Sequence, residues 1–197
     1  MDPMCGSGTL LFEAAGMVRK VAPGLSRQDW GFSRWLGHSS ADWKVLIDEA
    51  SQLREDHRET PLKMWGMDID RKAILAANHN AKNLELAGVN LSCQPLSRLR
   101  PPIEEPGLMI VNPPYGERLQ SEEELVPLYR QIGDVLRRNM LGWHAYVLAP
   151  ANRLSKSVGL KSSRRFVINN GAIACRFLSF PVSSTPLQSA GIIEEEG

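Results

Sequence analysis

The residues best suited to chemistry are Asn112-Pro113-Pro114-Tyr115, which directly follow the nearly all-apolar run Gly107–Val111. Such a run is the pattern of a strand buried on both faces of a parallel sheet. Two prolines at its end stop the ladder and fix φ. The tetrapeptide is therefore a rigid loop at the strand's C-terminal edge, where open α/β sheets bind ligands. That rigidity suits an exocyclic base amine, a poor nucleophile because its lone pair is delocalised. The Asn112 side-chain carbonyl and the Pro113 backbone carbonyl can accept both amine hydrogens, favour a pyramidal nitrogen and aim its lone pair. Tyr115 can then stack on the extracted base. The plain alternative is a Pro-Pro turn with Tyr115 covering the core.

A second constellation opens the chain: Asp2-Pro3-Met4-Cys5-Gly6-Ser7-Gly8-Thr9, then an apolar run through Leu10, Leu11, Phe12, Ala14 and Ala15. Gly6 and Gly8 allow a tight turn and close backbone approach to a ligand, and free N–H groups at a helix start favour an anion or carboxylate. Alone this pattern is weak. Its value comes from order, because a strand candidate at Leu62–Met67 ends at Asp68, where doubly wound folds place an acid for ribose hydroxyls. Asp70 reads as the cap of the next helix. Cys5 reads as a small packed residue rather than a nucleophile.

The positioning elements follow from periodicity and punctuation. Helices are expected over Thr9–Lys20, Ala41–Arg58, Asp70–Leu86 and Glu122–Asn139, with a short one over 153–161. In the second of these, Val45, Ile47, Ala50 and Leu53 form an imperfect apolar face. Residues 23–43 are irregular and aromatic (Trp30, Phe32, Trp35, Trp43) and read as an insertion packed on the body. Strands are expected at Leu62–Met67, Val89–Cys93, Gly107–Val111 and Trp143–Leu148. A hairpin over 165–168 and 172–180 turns at Asn169-Asn170-Gly171. Strands alternating with helices give an α/β, Rossmann-like, mostly parallel sheet with an antiparallel C-terminal hairpin. The Ser/Thr/Pro-rich stretch 181–197 reads as a linker or disordered tail.

Bulk properties exclude several classes. A chain of 197 residues, 43% hydrophobic and 23% charged, suits one globular domain. No apolar run reaches the roughly 18 residues that span a bilayer, so no membrane association is expected and the default compartment is the cytoplasm. Cys5, Cys93 and Cys175 are far apart, and the four histidines share no ligand spacing, so no metal site is expected. A net charge of +1 is low for a dedicated nucleic-acid binder, which places much of any RNA grip in another domain. Arg137-Arg138 and Lys161 with Arg164-Arg165 read as solvated surface, with phosphate contact as the alternative.

The motifs D-P-M-C-G-S-G-T, G-M-D-I-D and N-P-P-Y-G-E-R-L resemble those of class I methyltransferases that modify planar amino groups. The stretch Ala22–Trp35, followed by Asp42-Trp43, is similar to the insertion of the bacterial large-subunit (23S) rRNA guanine-N2 methyltransferase family (RlmL type). This resemblance covers about residues 2–180, the expected methyltransferase domain. It implies S-adenosylmethionine as cofactor, large-subunit ribosomal RNA as partner and guanine N2 as the methyl acceptor. It also implies cofactor contacts at Asp2, Pro3, Cys5, Gly6, Gly8, Asp68, Ile69 and Asn112, and a catalytic loop of Asn112, Pro113, Pro114 and Tyr115. Two departures stand out. Pro95, within Cys93–Ser97, falls where the family carries an acid near the adenine amine. The family also has a central first strand before the glycine turn and an RNA-binding THUMP domain before that. The expectation is therefore an N-terminally truncated domain whose sheet lacks its first strand. The competing readings are an adenine-N6 methyltransferase on DNA or RNA, a protein glutamine methyltransferase, and an inactive truncated fragment.

Overall fold

The structure is a computed structural model that describes residues 1–115 and 121–183. In chain order it runs α1 (Thr9–Val18), a 3-10 turn (Gly31–Arg34), α2 (Ser40–Asp56), β1 (Met64–Asp68), α3 (Arg71–Asn83) and β2 (Val89–Cys93). A second 3-10 turn (Leu96–Arg98), β3 (Leu108–Val111), α4 (Glu122–Asn139), β4 (His144–Pro150), α5 (Arg153–Ser157), β5 (Arg164–Asn170) and β6 (Ile173–Pro181) follow.

The strands form two groups, β1-β2 and β3-β4-β6-β5, with β1/β2 and β3/β4 parallel and β6 antiparallel to both neighbours. Met1 and Asp2 occupy the place between the groups. On one side Asp2 pairs in parallel with Gly66: its N–H donates to Trp65 O, and Met67 N–H donates to Asp2 O, both at 2.9 Å. On the other, Ile110 N–H donates to Met1 O at 2.9 Å, and the Met1 amine donates to Leu108 O at 2.6 Å. Two residues thus join the half-sheets into the order β2-β1-(Met1–Asp2)-β3-β4-β6-β5, and the glycine turn emerges from the centre of the sheet. This is a Rossmann-like α/β fold of the class I methyltransferase type, as expected.

The main core lies around β3, β4 and β6. Helix α4 lays Leu125, Tyr129, Ile132 and Leu136 against Met109, Val111, Ala145, Val147 and Leu178. Its bounds agree with the expected ones because Ser121 and Glu124 close a reciprocal capping box at its start. The other half carries small clusters only, Cys5 with Leu11 and Ile74, and Ala15 with Leu62 and Leu86. Asp70 caps α3 as expected, accepting Lys72 N–H at 2.8 Å.

The insertion departs from expectation. Rather than packing on the body, it packs on itself and on α2. Trp30 and Phe32 meet Trp43 edge-on at 5.1 and 4.8 Å between ring centres, and Trp35 is 73% exposed. Helix α2 has no buried residue. Its half-buried stripe of Trp43, Ile47 and Ala50 is too narrow to seat on a sheet, and Val45, Leu46 and Leu53 stay exposed. At the other end, Val182 is buried and exchanges backbone hydrogen bonds with Gly142 and Trp143, so the folded body runs past Pro181. The rest of the expected linker, 184–197, lies outside the described residues.

Candidate active site

Asp68, at the end of β1, organises the glycine turn. Its Oδ2 accepts the Gly6 N–H and its Oδ1 the Asp70 N–H, each at 2.9 Å. A carboxylate has about four acceptor positions, so both oxygens keep capacity for ligand hydroxyls. Ile69 beside it is 75% exposed and offers an apolar surface at the same edge. Gly6 has φ +55, and a Cβ built there would meet nothing within 4 Å among the described residues, which leave open space before the turn. Gly8 has φ +93, and a Cβ there would overlap the Phe12 ring. Both glycines are therefore required by backbone conformation, and the second also by packing. Among the described residues no side chain caps the start of α1, which leaves the first helical N–H groups available to an anion.

Asp2 is the buried acid of the site, at 2% exposure, and accepts the Met4 N–H at 3.0 Å. Burial pushes its pKa up to about 7, with the nearby Asp68 charge adding to the rise and the Met4 hydrogen bond opposing it. Burial likewise pushes the Cys5 thiol up to about 12, so it stays protonated and packs, as its place in the small core requires. Pro3 is fully buried.

The Asn112–Tyr115 loop leaves β3 on the far side of the Met1–Asp2 joint, which brings it to the same sheet edge as the glycine turn. Asn112 is exposed and its side chain has no partner among the described residues. Pro113 is buried, and Pro114 is fixed by its carbonyl, which accepts the Tyr129 hydroxyl at 3.5 Å. Tyr115 is half-buried against the main core, and its hydroxyl accepts from the Asn170 side-chain amide. It therefore covers the core on one side and keeps part of its ring open. Burial raises its phenol pKa. Gly116–Leu119, the rest of the N-P-P-Y-G-E-R-L stretch, lie outside the described residues.

Two residues here escape sequence reading. Asn170 reads only as a hairpin-turn residue, yet β5 runs parallel to β3 and β4 and so ends at the edge that holds the Asn112–Tyr115 loop, with β6 starting there. Gln94 replaces no recognisable motif residue, but its N–H donates to Asp68 O at 2.9 Å and its side-chain amide to Ser92 Oγ at 3.1 Å. Pro95, next to it, starts the 3-10 turn that buries Leu96.

A glycine turn tied to a strand-end acid, facing a rigid Asn-Pro-Pro-Tyr loop across one sheet edge, is the arrangement of a group-transfer site for a nucleoside-containing cofactor. Residues 1–179 match the RMKL-like, methyltransferase domain family. The chain belongs to that family. Ribosomal RNA large subunit methyltransferase K/L of Syntrophotalea carbinolica is 41% identical over 190 residues, 93% of this chain and 26% of that protein. The chain thus spans about a quarter of the length of the curated relatives it matches. Among solved structures, SMU.472, described as a methyltransferase and complexed with SAH, superposes with a TM-score of 0.81 at 27% identity. That match covers 94% of this chain and 48% of the other. A protein from Listeria monocytogenes described as an N6-adenine-specific DNA methylase gives 0.75 at 31% identity, covering 91% of this chain and 45% of the other. For this RMKL-like domain the residues fit S-adenosylmethionine on three counts: open space before Gly6, uncapped N–H groups at α1, and spare acceptor capacity on Asp68.

Proposed function

We propose that this domain transfers a methyl group from S-adenosylmethionine to the exocyclic N2 amine of a guanine in large-subunit ribosomal RNA. The observation that carries the reading is the Asn112 side chain, without a partner among the described residues and held on a rigid loop at the same edge as the Gly6–Asp68 turn. When bound, S-adenosylmethionine supplies an electrophilic methyl carbon on a sulfonium. Asp68 would hold ribose hydroxyls, and the start of α1 the carboxylate. The Asn112 side-chain carbonyl and Pro113 carbonyl would accept the two amine hydrogens, leaving the lone pair directed along the line of attack. With the amine so held, its nitrogen would form the N–C bond as the methyl's C–S bond breaks, the bonding pair would stay on sulfur, and one amine proton would pass to water. The ribosomal substrate is supported by the name shared by the curated relatives.

The first test is calorimetric titration with S-adenosylmethionine, followed by methyl transfer to undermethylated large-subunit RNA and nucleoside identification. N2-methylguanosine supports the reading. N6-methyladenosine would instead place the domain with the activity named for the Listeria protein. Asn112→Ala should lower turnover by at least about 100-fold while cofactor affinity stays nearly intact. Loss of both would remove Asn112 from its assigned role.

A further inference from the structure

Gly133 lets α4 and α5 meet closely, since a Cβ there would overlap the Val158 carbonyl oxygen. Their outer surfaces form an open cleft of about 450 Å³ whose charged lining is Arg130, Asp134, Arg137, Arg153 and Lys156. Arg137 is committed to structure, donating to Gly159 O at 2.9 Å and to Asp134 Oδ1 at 2.6 Å. That pair also neutralises the acid in the lining. The side chains of Arg130, Arg153 and Lys156 are exposed and have neither a carboxylate nor a hydrogen-bond partner among the described residues. Three free cations around one concavity are a strong local excess in a chain of net charge +1.

The cleft leads away from the catalytic edge. Arg153 opens α5 just past the C-terminal end of β4, and the neighbouring Asn152 side chain donates to Glu122 at the head of α4 at 2.8 Å. Arg130 lies eight residues into α4, about 12 Å along its axis at 1.5 Å per residue. Of the acids at the head of α4, Glu122 is held by Asn152 and Glu124 by the Ser121 N–H, leaving Glu123 without a partner among the described residues. Guanidinium and ammonium groups spaced along a groove match a run of phosphodiesters, and such contacts position a strand without reading its bases.

We propose that the α4–α5 cleft binds phosphodiesters of the substrate RNA, holding the strand whose base enters at Asn112–Tyr115. The proposal rests on the ribosomal-RNA reading above. It is tested with the R130A/R153A/K156A variant, measuring binding of the chain to a single-stranded oligoribonucleotide by fluorescence anisotropy across a salt series. Losing three single-strand phosphate contacts should flatten the slope of log K against log salt by about 2, at about 0.7 per contact. The wild-type advantage should then shrink by about 20-fold between 50 and 200 mM salt. An R130K/R153K variant keeps the charges and should keep the slope, and calorimetric affinity for S-adenosylmethionine should be unchanged in both. Unchanged affinity and slope in the triple variant overturns the proposal, as does an equal loss in the charge-retaining variant. A wild-type chain that binds S-adenosylmethionine but shows no salt-dependent RNA affinity sinks the cleft alone. RNA binding through the cleft without cofactor binding sustains the phosphodiester site and sinks methyl transfer by this chain.

Discussion

Helices α4 and α2 are nearly the same length, yet α4 buries seven of its eighteen residues and α2 none of its seventeen. Both contain enough apolar residues to make a face. In α4 these fall on one stripe wide enough to cover β3, β4 and β6, with the three glutamates of the first turn and Arg137-Arg138 of the last turn away from the core. In α2 the stripe is narrow, and the aromatic insertion meets it through Trp43 instead of the sheet. The same contrast separates the half-sheets. The group behind the Asn112 loop is densely packed, while the group behind the glycine turn carries only small clusters. Under the proposed function, the loop that would position the base rests on the densely packed half, and the cofactor would meet the half with less packing to hold it.

The sharpest way to break this comparison is to delete matched side chains. Leu136 is fully buried in the dense half, and Leu136→Ala should cost about 4–5 kcal/mol, near the top of the usual range, because its surroundings cannot collapse. Chemical denaturation measures this directly, and a cost near 1 kcal/mol would show the dense half to be soft.

Asp2, at the joint, should give the next largest effect. Its carboxyl titrates near 7 when folded and near 3.8 otherwise, so between those values the folded state binds more protons. Stability from this group is therefore greatest below pH 3.8 and falls as pH rises to about 7, by about 4 kcal/mol at 1.36 kcal/mol per unit. Asp2→Asn keeps an acceptor for the Met4 N–H and removes the charge. It should raise stability at pH 8 by up to that amount and flatten the pH dependence across the window. Thermal melts of both proteins from pH 4 to 8 check the sign, and a variant less stable at pH 8 would contradict it.

Much of this arrangement was legible in the chain, for reasons that differ by residue. The strand before Asn112, the acid at Asp68 and the cap at Asp70 announce themselves because strand ends and helix starts are governed by neighbours in sequence. The start of α4 is set by the Ser121–Glu124 box, also a matter of neighbours in sequence. What local pattern does not carry is partnership across the fold. Nothing near Asn170 indicates that its amide reaches Tyr115, 55 residues away. Nothing in Arg130 and Arg153 says that Gly133 brings their helices together. The insertion misled because aromatic content signals packing without saying against what.

Leu11 sharpens the comparison from the thin side. It is 5% exposed, but only Cys5 and Ile74 share its buried cluster. Leu11→Ala should cost about 2 kcal/mol, the low end for a buried leucine, since partly covered neighbours such as Phe12 and Leu91 can move in. Equal costs for Leu11→Ala and Leu136→Ala would erase the distinction between the halves.

The smallest expected effect is on α2, and it is the most exacting test of what holds that helix. Leu46 is 54% exposed, so Leu46→Ala removes little buried area and substitutes a residue of higher helix propensity. The change in stability should stay within about 0.5 kcal/mol. Trp43, by contrast, is the contact through which Trp30 and Phe32 reach the helix. Trp43→Ala should therefore speed amide exchange across α2 and residues 30–38 while leaving protection in β3 and β4 at its global value, because the insertion opens as a local unit. If exchange in β3 and β4 rose together with α2, the insertion would be coupled to the core after all.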